Sequence, residues 1–425
     1  MTAINEVVKK KHGYTLHIVQ TDKYKTNSLI LKMKAPLDHE TVTLRGLLPH
    51  VMQSSTNTYP STTDLRSYLD ELYGANFFVD LGKKGEYHIV SMSVEIANEK
   101  FLKDSEPLLQ KGIEFLSDVL QNPHVDEQNG FDEKTVSKEK RNQKVRIQAV
   151  YDDKMRYANS RLVEEMCKGE RFALHVNGVS EEVDAITAKS LYDYYKKVMS
   201  EDQFDLYVIG DVDVREVEML CDRLLHLNER TPQEVDSSEV KRKEKEHVVK
   251  EKQDVKQGKL NMGYRTHTKY GDRDYFALQV FNGIFGGFSH SKLFINVREK
   301  ASLAYYAASR LESHKGLLMV MSGIEFEKYD QAVGIINEQL KAMKDGDFTE
   351  GEIDQTKAVI RNQLLETIDT SRGLVEILYH NAVAHEEIDL SHWLNEIEKT
   401  TKEDIVKAAQ KVELDTIYFL TGMEG

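Results

Sequence analysis

The chain has 425 residues, too many for one ordinary domain and enough for two halves that each bury a core without disulfides or metals. A composition of 40% hydrophobic and 30% charged residues excludes a disordered chain. With 57 Lys and Arg against 71 Asp and Glu, the net charge of -14 argues against broad binding to phosphate backbones and favours basic ligands. Cys167 and Cys221 have neither C-x-x-C nor zinc-finger spacing and read as reduced thiols. The N-terminal MTAINEVVKKKHG has lysines but no apolar run behind them, and no stretch approaches the ~18 apolar residues of a membrane span. The expected setting is the cytoplasm, with neither nucleic acid nor membrane as partner.

In chain order, the first half predicts a short apolar helix over Leu44–Gln53, then a helix whose Leu65, Leu69 and Tyr73 share one face, then the breaker Gly74. Val90, Met92, Val94 and Ile96 alternate as in a half-buried strand. An amphipathic helix, LKDSEPLLQKGIEFLSDVLQ, ends before Asn122-Pro123, and FDLYVIGDV (Phe204 to Val212) closes the half as a strand. The polar stretch His226 to Gln257, with a charged block at Lys241 to His247, reads as a solvated linker whose later part is an edge strand.

The second half repeats this order. Laid over itself, the chain matches Leu65–Ala97 to Leu293–Glu325 without a gap. A short helix over Tyr275–Ile284 comes first, then a helix with Leu293, Val297 and Ala301 on one face, and Ser302 in the breaker's place. Leu318, Val320, Ser322 and Ile324 alternate, YDQAVGIINEQLKAMKDG forms a helix stopped by Gly346, and Thr416 to Gly422 is the last strand. Gly283, Gly286 and Gly287 lack the G-K-[ST] of a phosphate loop and read as a turn between two helices. The expectation is an α+β chain of two homologous domains, 1–225 and 251–425, joined by a linker at 226–250. Each domain is a mostly antiparallel sheet with helices.

Three stretches resemble the pitrilysin/insulinase peptidases, the inverted zincins: Arg45 to Phe78, Glu139 to Lys154 continuing through Leu191 to Asp213, and Phe281 to Arg310. The resemblance spans essentially the whole chain. It implies mixed sheets covered by helices on one face, as in the mitochondrial processing peptidases, enclosing a cavity for unfolded or short peptides. In active members an H-x-x-E-H helix holds zinc through two histidines one turn apart, and its glutamate activates the bound water. Anchored on Ser55, Thr56, Tyr59 and Pro60, the second histidine is His50, but Gly46 stands for the first and Pro49 for the glutamate. Arg146 replaces the distant glutamate ligand, six residues before Asp152 of the Asp152-Asp153 pair, so a permanent cation stands where the ligand should be. Pro49 is expected to start the helix late or kink it. The other histidine–acid cluster, His380 to Trp393, spaces His380 and His385 so that their rings splay apart on a helix, and His39-Glu40 matches no ligand set.

The third stretch keeps REKASLAY, whose Arg298 and Tyr305 correspond to the family's substrate-gripping pair. Arginine gives a fixed cationic fork and tyrosine a hydroxyl donor, both suited to a carbonyl oxygen. With the metal half lost and the grip kept, the resemblance implies the non-catalytic, substrate-binding subunit of a two-chain peptidase. No metal is expected here, zinc belongs to a homologous partner subunit, and peptide is the substrate. Two other readings stay open: a peptide-binding scaffold with no peptidase partner, and a metallopeptidase with unconventional ligands.

Overall fold

The computed structural model describes residues 4–103, 106–235 and 246–423. The chain runs β1 (Glu6–Lys11), β2 (Tyr14–Gln20), β3 (Thr26–Pro36), α1 (Val42–Met52), α2 (Thr62–Glu71), β4 (Asn76–Lys84), β5 (Tyr87–Ala97) and α3 (Leu108–Gln121). A short hairpin, β6 (Val125–Asp126) and β7 (Gly130–Phe131), precedes α4 (Glu133–Asp152), α5 (Lys154–Met166), α6 (Ala188–Glu201), β8 (Gln203–Gly210) and α7 (Val214–Leu224). Then come β9 (His247–Lys252), β10 (Gly258–Arg265), α8 (Tyr275–Asn282), β11 (Ala304–Glu312), β12 (Leu317–Ile324), α9 (Tyr329–Asp345) and α10 (Glu350–Thr367). The chain closes with α11 (Ser371–Ala384), α12 (Leu390–Lys399), α13 (Lys402–Lys411) and β13 (Glu413–Thr421). Two compact units result: Met1–Gln148 with Leu174–Asp236 and Thr370–Glu376, and Ala149–Ala173 with Ser237–Asp369 and Ile377–Gly425.

The first unit's sheet has the order β1-β2-β8-β3-β5-β4, and the second's β11-β12-β10-β13-β9. Read from β4 and from β11, the two orders place equivalent strands side by side, and the first sheet adds β1 at its far edge. Each is antiparallel except for one parallel pair, β2 with β8 and β13 with β9. That duplication is the α+β architecture expected from the internal repeat.

Alternation sets which side chains enter each core. In the first unit Leu29, Leu31 and Met33 of β3 and Val90, Met92, Val94 and Ile96 of β5 point the same way, against Leu47 and Val51 of α1 and Ile113 and Leu116 of α3. Each such burial contributes roughly 1.5–3 kcal/mol. The second unit buries Leu260, Met262, Leu318 and Val320 against Leu278, Phe281 and Ile336.

The opposite faces are covered too, so β5 and β12 are buried on both sides rather than half-buried as their alternation predicted. In the second unit Ala158 and Leu162 of α5 meet Met319, Tyr418 and Leu420. A Cβ at Gly263 would stand 2.6 Å from Met166 Sδ, so a larger residue there would have to displace the Met166 side chain of α5. The first unit's second face is mixed, with Ile30, Ile89, Tyr207 and Ile209 buried beside polar groups. Lys32 donates to Ser91 Oγ at 2.9 Å and is ion-paired with Glu376, and the Ser28 and Ser371 hydroxyls are 2.7 Å apart.

Three local expectations are corrected. Val42–Met52 is helical throughout with Pro49 inside it, so the proline does not delay the start. The glycines 283, 286 and 287 do not make a turn between helices: Gly283–Gly287 is π-helical, as is Phe294–Lys300, where an α-helix was expected. The wider winding is explicit in the Ala301 N–H, which donates five residues back to the Asn296 carbonyl at 3.3 Å. The breaker positions do leave the right-handed region, with φ of 73° at Gly74 and 50° at Ser302. The later part of the polar stretch is an edge strand, β9, as its patterning suggested, and its charged block lies mostly outside the described residues.

Candidate functional site

Helix α1 is held from two sides. Arg45 is buried, with Nη1 2.6 Å from Asp202 Oδ2 and Nη2 donating to the Met33 carbonyl at 2.9 Å. On the other side Gln143 of α4 is fully buried, and its Nε2 donates to the carbonyls of Thr43 at 2.9 Å and Asn177 at 2.8 Å. Thr43, Gly46 and His50 form one stripe of α1, and Glu139, Gln143 and Arg146 one stripe of α4, by helical spacing.

Gly46 sits under this clamp. A Cβ there would stand 3.0 Å from the Asn177 carbonyl carbon and oxygen and 3.0 Å from Gln143 Nε2. A histidine cannot enter without moving backbone, so the space for a first metal ligand is filled by protein. Pro49 has no N–H, which leaves the Arg45 carbonyl without its helical donor, and a proline side chain cannot act as a base. His50 ends the stripe. Its pKa is pushed down to about 4, by burial first and by the Arg146 cation second.

The structure thus brings Gly46, His50 and Arg146 into one neighbourhood, and together they offer one donor suited to zinc. These residues do not fit a catalytic metal, which needs about three protein ligands and an open position. Among the described residues no group of three or more His, Cys, Asp or Glu is arranged to hold a metal. His380 does not converge with His385. It pairs instead with His314 (Nε2 to Nδ1 2.7 Å) beneath the Tyr270 ring, a partnership that sequence spacing gave no sign of.

In the second unit, Arg298 lies in the π-helical segment with 43% of its side chain exposed, its guanidinium 4.6 Å from the Phe294 ring centre and its Nε 3.6 Å from Glu299. Tyr305 is the second residue of β11, an edge strand, and is 70% exposed. The pairing explains why. Ala304 opposes Ile324 and Tyr306 opposes Gly323, so Tyr305 is the extra residue of a β-bulge. Bulges bend an edge strand and re-aim the side chain they carry. The second residue of β4, Phe77, has no bulge and instead packs edge-on to Phe115 at 5.2 Å within the core.

Residues 185–360 match a family described as the peptidase M16 inactive domain. A probable inactive metalloprotease of Bacillus subtilis, YmfF, is 57% identical over 425 residues, which is 100% of both chains. YmxG, an uncharacterized zinc protease of the same organism, is 24% identical over 57% of this chain and 59% of its own. Among solved structures, a conserved protein from Enterococcus faecalis V583 superposes with a TM-score of 0.90 at 34% identity, covering 99% of each chain. A peptidase M16 inactive domain from Pseudomonas fluorescens shares the fold, with a TM-score of 0.79 at 15% identity over 99% of this chain and 98% of that one. With α1 and α4 closed against a metal and a relative of this identity along its whole length, the chain belongs to the M16 metallopeptidase family, as a homologue of its inactive members.

Proposed function

We propose that this chain is the non-catalytic, substrate-binding subunit of a two-chain, cytoplasmic zinc peptidase. It lends Arg298 and Tyr305 to the site of a zinc-bearing homologous partner that cleaves peptides. The observation that carries this reading is the bulge at Tyr305, which turns a phenol outward from a strand edge. An outward hydroxyl and an exposed guanidinium can both donate to a carbonyl oxygen as charge develops on it. The closed metal position supports a role that leaves the chemistry elsewhere. So does the presence in Bacillus subtilis of both a relative named inactive and one named a zinc protease.

The test is to purify the chain together with a zinc-motif homologue from the same cell and measure cleavage of a mixed peptide pool. Loss of one oxyanion donor typically lowers turnover about 10²–10³-fold, and Tyr305→Phe and Arg298→Ala are each expected in that range with unchanged melting. Cleavage that survives both substitutions unaltered would falsify the proposal.

A further inference from the structure

Arg146 ends the α4 stripe that faces α1, and its guanidinium is only partly used. Nη1 lies 3.8 Å from Glu139 Oε2, outside hydrogen-bond reach, while Nε and Nη2 are buried and have no hydrogen-bond partner among the described residues. These two N–H groups form one edge of the guanidinium plane. They are the parallel pair of donors that matches the two oxygens of a carboxylate. Buried donors are almost always paired in native proteins, so a whole vacant edge calls for an acceptor.

Glu139 does not supply it. Both its oxygens accept from Asn142 at 3.1 Å, and it also faces Lys138 at 3.5 Å. One carboxylate thus serves two cations, which leaves a positive charge in excess. The setting reinforces this: α4 carries six basic residues and three acidic ones in a chain of net charge -14. Arg230 also leaves Nε and Nη2 unpaired, but it has a shelf. Its guanidinium lies 3.7 Å over the Phe204 ring, and Nη1 donates to the Asp202 carbonyl. Arg146 has no such shelf among the described residues. Its side chain is 29% exposed, so the buried edge lies close to solvent and within reach of a ligand that a small side-chain adjustment admits.

We infer that the Nε–Nη2 edge of Arg146 is a receptor for the carboxylate of a peptide. A guanidinium there holds an oxygen pair without activating water, so the peptide is bound and not cut. The inference rests on the peptide-binding reading but uses a different unit and different residues, so the two fail separately.

The experiment measures by titration calorimetry the binding of three unlabelled, N-acetylated alanine–serine peptides to the full chain. One ends in a free carboxylate, one in an amide, and one in an amide with a single internal glutamate. The free acid should bind about tenfold or more tighter than the plain amide, and Arg146→Gln should remove that preference. Arg146→Lys keeps the charge without the fork and should fall between. Thermal unfolding of both variants checks that they fold. Tight binding of the glutamate amide assigns the carboxylate to a side chain, and tight binding of the free acid alone assigns it to a chain end. A wild-type chain that does not distinguish acid from amide, or a preference that survives Arg146→Gln, overturns the inference. Loss of all binding on Arg298→Ala and Tyr305→Phe, with the acid preference indifferent to Arg146, would leave the grip standing and remove this site.

Discussion

The α1–α4 contact of the first unit and the π-helix–β11 segment of the second occupy opposite ends of one scale. At α1 the helix is clamped: Arg45 is salt-bridged below, Gln143 bridges two carbonyls above, and a side chain at Gly46 would need Asn177 or Gln143 to give way. At β11 the backbone is irregular and the side chain is free, with a bulge at Tyr305 and left-handed φ at Ser302. By the match of Leu65–Ala97 to Leu293–Glu325, the first unit's counterpart of the π-helix–β11 segment is α2 and β4. The first copy pairs there without irregularity and packs Phe77 onto its core, while the second bulges and exposes Tyr305. A segment kept irregular and open in one copy and packed shut in the other is better explained by use at a surface than by the demands of the core.

The contrast can be broken by substitution. The largest effect on stability is expected at Arg45→Met, which strands the Asp202 carboxylate in the interior and costs about 3–5 kcal/mol, read by calorimetry. Tyr305→Phe should cost less than about 0.5 kcal/mol in the same scan, as an exposed substitution does. A comparable loss at both sites would erase the distinction between a structural and a presented residue.

Two changes one turn apart on α1 should move in opposite directions. Gly46→Ala forces the Asn177 backbone or Gln143 aside and should destabilise by about 1–3 kcal/mol. Pro49→Ala restores an N–H to the Arg45 carbonyl and should stabilise by about 1–3 kcal/mol, less whatever packing the ring provided. Urea titration of the two variants measures both signs.

A smaller effect concerns pH. His50 and His175 are pushed down to about 4, and the fully buried His88 is held well below its usual range, burial being the main cause in each. The unfolded chain therefore binds protons near 6.5 that the folded chain refuses, so stability falls as pH drops from about 6.5 towards 4. His17 has the opposite sign. Burial works against its charged form, but bonds to Asp205 and Glu6 outweigh it and raise its pKa, so its contribution is present in acid and lost as pH rises. Melting temperatures across this window should fall towards acid, and less steeply in His50→Gln.

What the sequence disclosed follows from what is local. The apolar faces of α1, α2 and α9, the alternation of β5 and β12 and the left-handed stops at Gly74 and Gly346 depend on neighbours within a few residues. The second buried face of β5 was hidden because its residues, Ser91 and Ser93 among them, are polar and look solvent-facing until Lys32 and its partners cover them. The π-helical winding of Phe294–Lys300 leaves no mark in residue spacing. The bulge goes with a wider turn: β11–β12 closes at Glu312 and Leu317 while β4–β5 closes at Lys84 and Tyr87, a difference that a gapless match conceals. At the candidate site, the loss of ligands at Gly46, Pro49 and Arg146 was readable residue by residue. That Gly46 is walled in by Asn177 and Gln143 was not, because those contacts come from distant parts of the chain.

Mass spectrometry of the native chain alone, after exposure to zinc and exchange into volatile buffer, tests the central claim most directly. No zinc is expected on the wild type and none on a variant carrying only Gly46→His and Pro49→Glu, since Gln143 and Asn177 still crowd the ligand's place and Arg146 remains a cation. One zinc per wild-type chain would contradict it, and would mean that the α1–α4 contact opens to a metal that its packing excludes.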